Sequence, residues 1–406
     1  MTVYVLATAL TCLLVWFGER QRLKWPWRIC AALPLIVVSA IRWDVGTDFY
    51  FTYYPASLAF ECLKGGASPE QVDAFFAPLV GRLNIPSCDT AAKLYGYYLG
   101  VIKVMGLGYR CVMEATWPLG GGIRTHMAVF SVLTGALVFL AIYRQSKCPL
   151  LAAFLYVTTS NYFLSLNIVR QYLAVALGLV AVEFVLKRKP LAFLACVLIG
   201  AFFHPTALVF LPLYFIGRVE LWFWWYALLL IAAVAVAPVA ASAAAWGLAT
   251  LGMRHYAQYF NSGFRTEGFE WMFFAINVAF LAFGGWYWER AKKASPYFII
   301  WYNMTVIGTL FLALSGSVPL MKRINYYFAA PQFLLLPEIL LAESRPAVRK
   351  ALTALIVVGF TLETAVAVWV FNKNEPLPYG ITCRPDHAWP RVPFASGPFG
   401  WQLKDE

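Results

Sequence analysis

Apolar runs long enough to cross a bilayer fill most of the chain, separated by short polar breaks. They lie near residues 3–18, 28–41, 124–143, 149–164, 170–187, 190–203, 205–217, 221–239, 270–288, 297–314, 324–342 and 351–371. A hydrocarbon core about 30 Å thick takes roughly 20 helical residues. The pattern therefore predicts an all-α polytopic membrane protein with about 12 transmembrane helices, occupying residues 1–371. Residues 190–217 are too long for one upright helix and short for two, which leaves a tilted or re-entrant hairpin open. The first run, Val3–Phe17, has no basic residue before it and no small-residue cleavage site, and reads as a retained helix.

The polar breaks are of two kinds. One set is short and basic: Arg20, Arg22, Lys24 and Arg28; Arg144 and Lys147; Lys187, Arg188 and Lys189; Arg218; Arg290, Lys292 and Lys293; Arg345, Arg349 and Lys350. Several of the alternate breaks are long and mix both signs. The positive-inside rule places the basic set in the cytoplasm, so both termini face outward. A large outer segment, 42–123, separates the second and third spans. Its second half, Lys93–Arg110, has apolar residues at helical spacing and reads as a helix on the membrane interface or as a cap over a site. The tail 372–406 is Pro-rich and is expected to be irregular, folding back over the outer face.

Composition agrees with this pattern: 61% of the residues are hydrophobic and 13% are charged, with a mean hydropathy of +0.67. A soluble protein carries about 25% charged residues. The net charge of +12 is first explained by cytoplasmic loop bias and anionic lipid, with an anionic substrate as a further source. The chain has no Gly-x-x-x-x-Gly-Lys, Cys-x-x-Cys or His-Glu-x-x-His sequence, so nothing in it points to ATP, zinc or redox chemistry. Cys62, Cys88, Cys111 and Cys383 all fall on the predicted outer face, where an oxidising compartment permits two bridges in any of three pairings.

The candidate chemistry gathers on that outer face. Arg42, Asp44 and Asp48 follow the second apolar run, together with Gly46 and the aromatics Phe49, Tyr50, Phe51, Tyr53 and Tyr54. Arg170 and Gln171 lie at the outer end of the fifth span, His204 at a Pro-marked break, Arg254 and Arg265 in Met253–Gly268, and Arg323 and Tyr326 before the eleventh span. Taken singly, each has a plainer explanation: an interfacial aromatic belt, a snorkelling arginine or a structural histidine. Arginine on the outer side nevertheless runs against the orientation rule. Five of them in one cleft would suit a diphosphate, because guanidinium is planar and offers fixed donors. On that reading Arg170 and Arg323 hold the diphosphate with Arg42 supporting, Arg254 and Arg265 are further substrate-binding candidates, and Tyr50, Tyr53 and Tyr54 stack on sugars. Asp44, Asp48 and His204 are the candidate catalytic bases. Glu363, inside the last span, is a further carboxylate with no assigned partner.

Arg42-Trp-Asp-Val-Gly-Thr-Asp-Phe49 with Tyr53 resembles the Arg-x-x-x-Gly-x-Asp-[Tyr/Phe]-x-x-Tyr signature of the EpsG family, with the last tyrosine one place later. Ile168–Ala174 and Phe203–Ala207 resemble the family's Arg-Gln and Phe-His segments, and Arg323 with Tyr326 a late arginine of the same group. The likeness implies a Wzy-like polysaccharide polymerase of the bacterial inner membrane. Such an enzyme moves a growing glycan from polyprenyl diphosphate onto a lipid-linked repeat unit on the periplasmic side. It implies no cofactor and no metal, and no nucleic acid among the partners, which would be polyprenyl-diphosphate-linked repeat units, membrane lipid, chain-length regulators and export proteins. Two other readings stand beside it: a transferase using a polyprenyl-monophosphate sugar, and a lipid-linked oligosaccharide flippase. A flippase needs ionisable groups down a central cavity, whereas this chain keeps its outward charges at the rim.

Overall fold

The computed structural model describes residues 1–22, 25–85, 87–120, 122–250, 271–318 and 321–381. Among them the protein is all-α, with about twenty helices and a single two-stranded ladder. Val169–Leu186 runs through the middle; it is apolar on every side, and nearly all of its residues are buried. It packs between Ile123–Gln145 and Pro190–Phe203.

Among the described residues, four stretches are long and apolar enough to cross a membrane: Thr2–Arg20, Ile123–Gln145, Val169–Leu186 and Pro346–Val370. Pro149–Thr158 and Asn161–Asn167, bent by 54°, make a fifth if they form one span. The chain is thus a multi-pass membrane protein with four or five candidate spans, against the twelve expected from the apolar runs. Several of the other runs form apolar helices of 10–17 residues, Phe298–Leu314 among them, and some runs contain a break. Pro331 divides 324–342 into Met321–Ala329 and Gln332–Leu341, because proline supplies no backbone donor. Ser160, at φ 60°, breaks 149–164. At 190–217 the chain makes a hairpin. Pro205 disfavours helix at His204, which is extended at φ −148° and ψ 112°. The following Pro205–Phe210 turn then packs back, Ala207 against Gly200 and Phe210 against Gly178.

The basic turns gather at one end of the bundle around buried carboxylates. Glu183 pairs with Arg144 and Lys187. Glu338 accepts the Lys147 N–H at 2.7 Å. Glu343 takes Arg345 through two bonds of 3.0 and 3.1 Å, and the Tyr287 hydroxyl at 2.7 Å. The motif residues lie at the other end.

There the 42–123 segment forms four helices, Tyr54–Gly65, Pro69–Leu83, Ala91–Val104 and Leu107–Thr116, around a core of its own. The repeating apolar positions of Ala91–Val104 bury Leu94 and Tyr98, and the Tyr98 hydroxyl donates to the Phe51 carbonyl at 2.8 Å. Val104 and Leu107, at the tip of that helix pair, are exposed. Cys62 and Cys88 are buried, Cys111 is exposed, and all three are free thiols; Cys383 lies outside the described residues.

The first ten residues of the tail do fold back. Gly380–Ile381 pairs antiparallel with Arg42–Trp43. The Tyr4 hydroxyl donates to the Pro376 carbonyl at 2.9 Å, and that of Tyr379 to the Val38 carbonyl at 2.8 Å.

Candidate functional site

The site forms where the loop after Ile41 meets the start of the central helix. Gly46 has φ +92°, a region only glycine enters freely. A Cβ there would stand 3.0 Å from Asn167 Cα and 3.2 Å from the Leu166 carbonyl oxygen. The Gly46 N–H donates to the Glu375 carbonyl at 3.0 Å. The Asp48 N–H donates to Asn167 Oδ1 at 2.9 Å. The motif glycine is therefore what lets this loop lie flat on Leu166–Asn167, three residues before Arg170.

Arg170 enters the site one turn later. Its backbone N–H donates to the Tyr53 hydroxyl at 3.3 Å. Its guanidinium lies 5.8 and 6.0 Å from the ring centres of Tyr53 and Tyr109, and Nη1 donates to the Met105 carbonyl. Nε of Arg170 is buried with no partner. Met105 belongs to the cap: Gly106, at φ +86°, and Gly108 press against Phe203 and Phe202, just before His204. Met105 and Gly106 thus bring the end of the Ala91–Val104 helix against Arg170 and Phe203.

Gln171 is buried, and its Nε2 donates to the Arg323 carbonyl at 2.7 Å. That bond ties the Met321–Ala329 helix to the central helix and brings Arg323 toward Arg170. His204 lies within electrostatic reach of both arginines. Its Nδ1 lies 2.6 Å from Thr206 Oγ1, which is 2.9 Å from the Tyr327 hydroxyl. Burial, and then the charges of Arg170 and Arg323, push the imidazole down to about 3, so it is neutral near pH 7.

The carboxylates form the other flank. Asp44, at φ 55°, is pushed up to about 7 by burial, with Arg82 pulling the other way. Glu375 also reaches about 7, through burial; the Thr47 hydroxyl opposes the rise, and the charges of Asp44 and Asp48 add to it. Nothing in the local sequence signals Glu375 or Arg82. Each joins the site only through the fold.

Several residues are placed differently from a ligand-facing role. Arg42 is only 2% exposed, and both of its terminal nitrogens are bonded to protein, while Nε is buried without a partner. Nη1 bonds Ser39 Oγ at 2.9 Å, Ser131 Oγ at 3.2 Å and the Ser39 carbonyl; Nη2 bonds the Leu166 carbonyl at 3.2 Å and Met127 Sδ at 3.4 Å. It clamps three helices together. Tyr50 and Tyr53 are buried in the loop core, and Tyr54 stacks on Phe49 with ring centres 6.2 Å apart. Tyr326 lies on the face of its helix turned away from His204, in a second cavity. Arg254 and Arg265 lie outside the described residues.

Chemically, the junction offers two guanidiniums within electrostatic reach of a neutral imidazole, with carboxyls that ionise near neutrality beyond Tyr53. No curated protein and no solved structure matches the chain. The EpsG family model matches residues 25–381, which includes every segment that builds the junction. The chain belongs to the EpsG family of membrane proteins, which implies a role in exopolysaccharide biosynthesis.

Proposed function

We propose that the chain is a polysaccharide polymerase: a glycosyltransferase that moves a growing glycan from polyprenyl diphosphate onto a lipid-linked repeat unit. On this reading it crosses the inner membrane twelve times, with both termini, the 42–123 segment and the site on the periplasmic side. The observation that carries the proposal is Arg170 and Arg323 within electrostatic reach of neutral His204 beneath the Met105–Gly108 cap.

The two guanidiniums hold the diphosphate and stabilise the charge that grows on it as the anomeric C–O bond breaks. The acceptor hydroxyl attacks that carbon, and the diphosphate leaves with the electron pair. The hydroxyl proton passes to a base among Asp44, Asp48, Glu375 and His204. A bound diphosphate would offset the arginine charges that depress His204 and make it more basic while substrate is present. The flanking carboxyls already ionise near neutrality.

The test uses purified protein in lipid nanodiscs with polyprenyl-diphosphate-linked repeats and no nucleotide. Longer glycans are expected from the wild type, and none from Arg170→Ala or Arg323→Ala at unchanged protein level. Normal polymer from both variants would remove the site model. The acidic flank also favours a second reading, transfer from a polyprenyl-monophosphate sugar. A null strain separates the two: unpolymerised repeats accumulate for a polymerase, and under-glycosylated product for a monophosphate transferase.

A further inference from the structure

We propose that the turn joining the Ala91–Val104 and Leu107–Thr116 helices is inserted in the hydrocarbon of the bilayer, with lipid chains covering Val104 and Leu107. The argument for depth starts from the hairpin at 190–217. Lys187, Arg188 and Lys189 precede it and Arg218 follows it, so it leaves and returns at the basic end of the bundle, with His204 at its apex. Its rising leg, Pro190–Phe203, has 14 residues, a length of about 21 Å. A hydrocarbon core is about 30 Å thick. The three basic residues at its foot are exposed and belong at the headgroups. Counted from there, the apex stops about 9 Å short of the far edge of the hydrocarbon, and tilt only lowers it.

The central helix gives a similar height. Val169–Leu186 has 18 residues and ends on the same basic turn, so its top stands about 27 Å above that turn, still within the core. The Ala91–Val104 turn is fastened to both summits. Arg170 Nη1, at the top of the central helix, donates to the Met105 carbonyl. Gly106 and Gly108 lie against Phe203 and Phe202, the last two residues of the rising leg. A turn seated there lies below the headgroups.

What the turn exposes fits that depth. Val104 is 81% exposed and Leu107 56%. The rising leg buries Phe193, Val197 and Gly200 on one face and exposes Leu191, Leu194, Leu198 and Phe202 along the other. That exposed stripe faces lipid, and Phe202 at its top meets Gly108, so Val104 and Leu107 extend a lipid-facing surface. Lys103, one residue before Val104, is exposed, and its long side chain can carry the ammonium up to the phosphate layer. Phe75 is a contrast: it is also exposed, but on a helix that presents Glu70 and Asp73 to water. An inserted turn lets a molecule with a long apolar tail remain in the bilayer while its head group meets Arg170. That use rests on the polymerase reading; the insertion does not.

The experiment places the wild-type protein in nanodiscs of phosphatidylcholine whose acyl chains carry a diazirine, and maps the adducts by mass spectrometry after irradiation. Adducts are expected on Val104–Leu107, as on Leu198 and Phe202, and not on Phe75. A second measurement puts spin labels at Val104→Cys, Leu107→Cys and Phe75→Cys, each with Cys111→Ser because Cys111 is an exposed thiol. Collisions with a water-soluble nickel chelate should be lost at the first two positions and kept at the third, and collisions with oxygen should show the reverse order. The proposal is overturned by a turn without adducts, or by nickel access at the turn equal to that at Phe75. Because no glycan is measured, failure of the polymerase assay and failure of the insertion are distinguishable.

Discussion

Gly46→Ala isolates the fit of the loop onto the central junction, and two other glycines calibrate it. At Gly65, the last residue of the Tyr54–Gly65 helix, φ is ordinary and no atom lies within 4 Å of an added Cβ. Alanine there should be neutral or stabilising by up to about 1 kcal/mol. At Gly66, φ is +65° and the space is again open, so alanine meets only the left-handed backbone penalty of about 1–2 kcal/mol. At Gly46 the same penalty applies, and the new Cβ also lies 3.0 Å from Asn167 Cα and 3.2 Å from a backbone oxygen. Backbone cannot rotate away as a side chain can, so overpacking adds about 1–3 kcal/mol. The expected order of stability is Gly65→Ala, then Gly66→Ala, then Gly46→Ala, the last lower than the first by about 2–6 kcal/mol. A thiol-reactive dye reads it directly, because Cys62 and Cys88 are buried in the core this loop belongs to. Labelling during a thermal ramp should begin earliest for Gly46→Ala. If Gly46→Ala and Gly65→Ala label at the same temperature, the loop does not rest on Asn167 as described.

Arg42→Met should lower the amount of folded protein, since it strips a donor from the buried Leu166 carbonyl, at about 1–3 kcal/mol for a group left bare, and unties it from Ser131; normal levels on a membrane immunoblot would refute the clamp. Thr206→Val breaks the His204–Thr206–Tyr327 chain and should lower the polymerisation rate about tenfold with little change in protein level, a drop of about 1.4 kcal/mol in transition-state stabilisation; an unchanged rate would remove the chain from the site. Asp44 and Glu375 both titrate near 7, above the ordinary carboxyl range. Their raised values mean that this contribution to stability is full below about pH 4 and is lost as pH climbs toward 7. The ionised form that takes a proton grows over the same window. Polymer formation should therefore rise with pH through about 7 and flatten in Glu375→Gln, and a wild-type rate that stays level from about pH 6 to 8 would count against the acidic flank.

The sequence makes legible the residues that break a rule. Arg170 and Arg323 stand out as outward arginines, His204 as an imidazole before proline, and Gly46 as the centre of a motif; the fold brings His204 to both arginines. The sequence cannot show which way a guanidinium points. Arg42 has the same anomaly as Arg170, yet its acceptors are serines and a carbonyl from two other helices. Glu375 carries no local signal because its neighbours Thr47 and Gly46 lie at the other end of the chain. Hydropathy likewise averages across Ser160 and Pro331, where one residue changes the helix direction.

The ladder between Arg42–Trp43 and Gly380–Ile381 has a consequence for biosynthesis. Tyr4 waits for Pro376, 372 residues later, and Gly46 for Glu375. While the ribosome feeds the chain into the membrane, the acidic flank lacks one of its carboxyls and the loop lacks its brace. Only after nearly all of the described helices have been inserted does the closing strand arrive. The order of synthesis thus makes Glu375 and its backbone brace the late arrivals, so the acidic flank is completed only when the closing strand has paired.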